Sequence, residues 1–134
     1  MIFIMMKKTM IAAGAGLLMA VLMTSAAKKA MTKENGVYVV NTTELAKDVI
    51  GYESTTPLKV YIRKGKVEKI EYLDNTETPK YWQAAAKHLQ NAWDGKTVKE
   101  AKTLKVDGRT GATYSSDAIK ENVKRALDYY EKNK

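Results

Sequence analysis

Hydrophobic residues are spaced along this chain with three different periods, and each period predicts a different kind of segment. From Thr9 to Ala27 no residue is charged, and Met10 to Met23 is almost wholly apolar. Leu58-Lys59-Val60-Tyr61-Ile62-Arg63 alternates strictly, which predicts a half-buried strand. Lys64-Gly65 is a tight-turn signal, and Lys66 to Leu73 is the return strand of a hairpin. Its apolar residues change parity, since Val67 is odd while Ile70 and Tyr72 are even. A bulge near Glu68-Lys69 reconciles them. From Pro79 to Trp93 the apolar positions are Trp82, Ala85, Ala86, Leu89, Ala92 and Trp93, the spacing of a helix packed on a core. A terminal helix from about Ser116 to Glu131 carries Ile119, Val123, Ala126, Leu127 and Tyr130 on one face.

Shorter signals complete the pattern. Gly36 to Val40 reads as a short strand. Thr43 is a good N-cap for a helix over Glu44 to Ile50, closed by Gly51. Asp94-Gly95 ends the Pro79 helix, and Thr97 with Glu100 makes a capping box for a short turn. Leu104-Lys105-Val106 reads as a brief strand. The fold class is α+β: a small antiparallel sheet with helices packed on one side.

Composition separates the N-terminus from the rest. Six of the seven Met and the only Phe lie in the first 23 residues, and all fifteen acidic residues follow position 33. Lys7-Lys8, the apolar stretch and the small-x-small end at Ser25 and Ala27 describe a secretory signal peptide, cut after Ala27. Met6 is then the better start. The alternative is an uncleaved membrane anchor, because nineteen uncharged residues nearly span a bilayer. Without Cys there is no lipoprotein anchor. Residues 1–27 are therefore read as signal, 28–35 as a polar linker and 36–134 as one folded domain. The expected location is the periplasm or the outer face of the cytoplasmic membrane. Removing the signal lowers the formal charge from +8 to +6, because it takes two Lys and no acid. One His and no Cys exclude a Cys nucleophile and a His/Cys metal site. His88 reads as a surface residue, and Lys59, Tyr61 and Arg63 as one strand face, either solvated or a partner surface.

The chemistry concentrates in Asp107-Gly108-Arg109-Thr110-Gly111-Ala112-Thr113-Tyr114-Ser115-Ser116, which leads into the terminal helix. Gly111 and Ala112 are small enough to let backbone amides approach a ligand. Thr110, Thr113, Ser115 and Ser116 supply hydroxyls, and a helix N-terminus favours an anion. These features describe either a phosphate cradle or an ordinary loop and cap. A nucleotide P-loop needs a Lys before its Ser/Thr, and none is present. Gly108-Arg109-Thr110-Gly111 also fits the GxxG loop of a KH-like nucleic-acid binder, a four-letter match. Export argues against that reading.

The same stretch, Asp107 to Ser115, resembles the D-x-x-[S/T]-G-A-T-x-[T/S] signature of the FMN-binding domain family. That family includes flavoprotein subunits C and G of the sodium-translocating NADH:quinone reductase and of the Rnf complex. Gly51-Tyr52, Thr56-Pro57-Leu58, the hairpin and Asn75-Thr76-Glu77-Thr78-Pro79 extend the resemblance over roughly Val37 to Tyr130. It implies FMN as cofactor, joined through a phosphoester by an FAD:protein FMN transferase that uses Mg²⁺. The acceptor position falls on Ser115, where the family usually has Thr. Serine keeps the Cβ hydroxyl but lacks the methyl that restrains χ1, so non-covalent FMN is the alternative.

The resemblance further implies that Thr113 bonds phosphate or backbone. Gly111 and Ala112 leave room for the phosphate, and Asp107 orients the loop or helps the transferase hold Mg²⁺. Tyr52 and Glu77 lie in segments similar to the family's flavin pocket. Glu77 either accepts from the flavin or is a solvated loop acid, and Tyr114 either stacks on the ring or packs in the core. The implied role is an exported electron carrier serving membrane or periplasmic redox partners, with no nucleic-acid role and no stand-alone catalytic site.

Overall fold

The computed structural model describes residues 30–106 and 112–134. Four strands form one antiparallel meander in the order β1 (Met31–Glu34), β2 (Val37–Asn41), β3 (Leu58–Arg63), β4 (Lys66–Tyr72). Three helices follow: α1 (Pro79–Leu89), α2 (Val98–Thr103) and α3 (Thr113–Asn133). The α+β expectation therefore stands, with the long terminal helix in place.

Alternation decides which sheet face is buried. Val40, Leu58, Val60 and Ile62 are fully buried, while Lys59, Tyr61 and Arg63 turn to the other face of β3. Helix α3 covers the apolar face, with Ile119, Val123, Ala126 and Leu127 buried against it. At its far end the Tyr130 ring meets Tyr38 of β2 edge-on at 5.1 Å. Helix α1 packs against α3 with Ala85 and Leu89, and α2 fills the remaining side next to β4.

The β3–β4 hairpin turns at Lys64-Gly65, both at positive φ (51° and 76°), as a two-residue turn matched to strand twist requires. The expected bulge is present. Tyr61 pairs with Lys69 but Ile62 pairs with Val67, so Glu68 is the extra residue. That extra residue returns both Val67 and Ile70 to the core. Val67 N–H donates to Lys96 O and its carbonyl accepts from Gly95 N–H, both at 2.8 Å, so the turn before α2 covers this strand edge.

Three local expectations change. Residues 28–35 are not wholly a linker, because Met31–Glu34 form the edge strand β1, joined to β2 through Asn35-Gly36 at positive φ (53° and 82°). An Asn-Gly pair is the strongest two-residue hairpin signal, and the polar flanks hid it. Thr43 to Asp48 forms consecutive turns instead of a helix over Glu44–Ile50. Thr43 N–H goes to Asn41 Oδ1, and Ile50 bridges Thr55, which pulls the segment away from helical bonding. Leu104–Val106 is not a strand; Leu104 N–H returns to Ala101 O and Val106 O accepts from Lys120 Nζ. The α1 stripe holds, but regular helix ends at Leu89 and Trp93 reaches the core from the turns beyond. The Thr97–Glu100 capping box forms as expected.

Candidate functional site

Helix α3 begins at Thr113, three residues before the position read from the sequence, so Ser115 lies in its first turn. The N-cap position is Ala112, which has no side chain able to cap, and the first turn holds no acidic residue. Among the described residues, the free amides and positive dipole end of this long helix therefore have no side-chain cap or acid of their own segment. Asp107, Thr110 and Gly111, with the Gly108–Gly111 stretch, lie outside the described residues.

Ser115 is fully buried, and its hydroxyl donates to Glu77 Oε1 at 2.6 Å. Glu77 comes from the loop just before α1, 38 residues away in sequence. Its carboxylate is held by a concave set of backbone donors. Tyr52 N–H reaches Oε1 at 2.8 Å, and Glu53 and Ser54 N–H reach Oε2 at 2.5 and 2.7 Å. These amides converge because Gly51–Ser54 is a tight turn closed by Gly51 N–H to Ser54 O at 2.8 Å. Gly51 has to be glycine for space: a Cβ there would stand 2.5 Å from Glu77 Oε1. On the other side, Asn75 Oδ1 accepts from Glu77 N–H and Ser54 Oγ accepts from Thr76 N–H, which locks the two loops together.

Glu77 is only 6% exposed. Burial opposes its ionisation, but the Ser115 hydroxyl and the three amides outweigh that cost and hold its carboxyl below the usual carboxylate value. The solvated-acid reading of Glu77 is thereby overturned. Its oxygens are also engaged by four protein donors, so its geometry serves Ser115 and the 51–54 turn.

Beside this pair lies a pocket of about 270 Å³ lined by Tyr52, Tyr81, Ala112, Thr113, Tyr114 and Ser115. Tyr114 is 67% exposed, so it is not a core residue, and Tyr52 is 48% exposed. The Tyr52 ring meets Tyr81 edge-on at 4.9 Å and lies 6.3 Å from Tyr114 with a tilt of 36°. The structure thus joins Tyr52, Ala112, Thr113, Tyr114 and Ser115 around one space. Ser116 is fully buried and does not line it, and its hydroxyl has no hydrogen-bond partner among the described residues. Tyr81 was not legible as a site residue, since the helical spacing singles out its neighbour Trp82. Its signal is its place in the first turn of α1, next to Glu77.

These residues fit a flavin mononucleotide. Aromatic faces suit a planar ring, small Ala112 leaves backbone approachable, and the N-terminus of α3 suits a phosphate. Among the described residues no group of His, Cys, Asp and Glu could hold a metal ion. No curated protein and no solved structure matches the chain. A family model described as FMN-binding domain matches residues 51–128. The match begins at Gly51 under the Glu77 carboxylate and runs through Ser115 into α3, so it contains both halves of the site. Covering more than half of the sequence, it shows that the chain belongs to the FMN-binding domain family and takes FMN as its cofactor.

Proposed function

We propose that this protein is an exported electron carrier whose FMN is joined by a phosphoester to Ser115. The observation that carries the reading is the place of Ser115, in the first turn of α3 and among the residues that line the tyrosine-rich pocket. An ester there sets the phosphate at the positive end of a 21-residue helix. Tyr52, Tyr81 and Tyr114 would then hold the ring. When bound, FMN supplies the redox chemistry, and the chain supplies attachment, orientation and electrostatic surroundings.

Export rests on the sequence of residues 1–27, which lie outside the described residues. Among the described residues no helix is long and apolar enough to cross a membrane. The attachment requires an FAD:protein FMN transferase, and the electron partners belong to the membrane or periplasm. A bond suits an exported carrier, because a loosely held cofactor would be diluted away outside the cytoplasm.

Co-expression with a flavin transferase, followed by intact-mass measurement, tests the attachment. The expected result is a gain equal to FMN minus water that Ser115→Ala abolishes. The full burial of Ser115 favours a second reading, in which FMN is bound without a bond. That reading predicts a yellow protein with no mass gain that loses its colour in denaturant. For export, the mature chain recovered from the periplasm should begin at Lys28; retention of Thr9–Ala27 in membranes would mean an anchor.

A further inference from the structure

We propose that Glu77 is the residue that orients the Ser115 hydroxyl for FMN attachment and takes its proton, so that the acceptor chain contributes to its own modification. This rests on the proposed ester at Ser115 and deepens it. A serine has no Cβ methyl to restrain χ1, so its hydroxyl needs another restraint to act as a directed nucleophile. The 2.6 Å bond from Ser115 Oγ to Glu77 Oε1 supplies it. The hydroxyl's one proton is committed to the carboxylate, which leaves its lone pairs to meet an electrophile.

The carboxylate cannot swing away easily. Three amides of the Tyr52–Ser54 turn hold it, and Gly51 packs directly against it. Two loop segments distant in sequence are therefore arranged to hold one side chain. An acid whose only task was to close the 51–54 turn would have no need to spend Oε1 on Ser115 as well.

The step balances as a phosphoryl-group transfer from a flavin dinucleotide. The bond from Ser115 Oγ to the FMN phosphorus forms. The bond from that phosphorus to the bridging oxygen breaks, and AMP leaves. The hydroxyl proton passes to Glu77 Oε1 and then to solvent, and no electrons change hands.

The test uses the full chain with purified flavin transferase, FAD and Mg²⁺, and reads covalent mass gain against time. Glu77→Gln keeps size and an acceptor oxygen but removes the charge. Its maximal rate of mass gain should fall by at least about tenfold. The chain concentration giving half-maximal rate should stay within about twofold, because transferase docking is untouched. Circular dichroism on the same sample reports folding. If Glu77→Gln does not fold, Gly51→Ala is used, since it displaces the carboxylate without deleting it, and a slowed transfer is again expected. A Ser115-dependent gain at the wild-type rate in the folded variant overturns the role of Glu77 alone. A mass gain that survives Ser115→Ala, or none in the wild type, overturns the attachment itself.

Discussion

A single carboxylate accounts for the conformation of two loops. Glu77 accepts from Tyr52, Glu53 and Ser54 N–H and from the Ser115 hydroxyl, and all of these donors would be left short if it were truncated. Glu77→Ala should cost about 3 kcal/mol or more of stability, measured by urea unfolding. Because the folded pKa is depressed, this contribution is present above the ordinary carboxylate value of 4.5 and is lost as pH falls through the folded value. The stability difference between wild type and Glu77→Gln should therefore be full at neutral pH and shrink in acid. Gly51→Ala forces a Cβ to within 2.5 Å of Glu77 Oε1, and should destabilise by about 1–3 kcal/mol in the same assay. The sequence singled out Gly51 as a helix-closing glycine and by family resemblance, and Tyr52 and Glu77 through the resemblance alone. Nothing in their spacing reveals that the glycine and the acid touch, since contact between residues 26 positions apart depends on how the loops fold.

At the scale of elements, α3 is pinned to the sheet by a polar knot inside an otherwise apolar interface. Asn122 is fully buried; its Oδ1 accepts from the Thr42 hydroxyl, and its Nδ2 donates to Thr56 Oγ1 at 3.2 Å and Ala118 O at 2.9 Å. Thr42 Oγ1 in turn accepts from Leu58 N–H at 3.0 Å. The knot joins the end of β2, the start of β3 and the middle of α3, and so fixes where the first turn of α3 meets Glu77. Asn122→Ala should cost about 2–4 kcal/mol, because two buried hydroxyls lose a partner, and the loss is read as a lowered midpoint of thermal or urea unfolding. Periodicity could find the apolar face of α3 but not this residue, since a polar side chain on a buried stripe resembles a solvated one until its partners are known. The strand and bulge of the β3–β4 hairpin were legible because alternation and its break are local. The edge strand β1 was missed because its burial pattern is half-buried and then exposed, as suits a sheet edge.

For the molecule as a whole, the site exists only where three distant segments meet. Tyr52 comes from the turn after residue 50, Tyr81 from α1, and Tyr114 from α3. If these rings hold the flavin, Tyr52→Ala should weaken retention of non-covalent FMN by up to about tenfold, read by recovery of flavin fluorescence on dilution. The same substitution should barely change global stability, since the Tyr52 side chain is about half exposed.

The sequence by itself determined the β3–β4 hairpin, the apolar faces of α1 and α3, and the family. Those depend on local periods of two and 3.6 residues and on a contiguous signature, all of which are written along the chain. It also set the acceptor hydroxyl at Ser115 as an expectation. Only the tertiary structure decided what surrounds that hydroxyl. It placed Glu77 against Ser115, turned three amides onto the carboxylate, exposed Tyr114 and brought in Tyr81. Hydrogen bonds between residues far apart in sequence are specified by the packing of the whole core, and no local pattern records them.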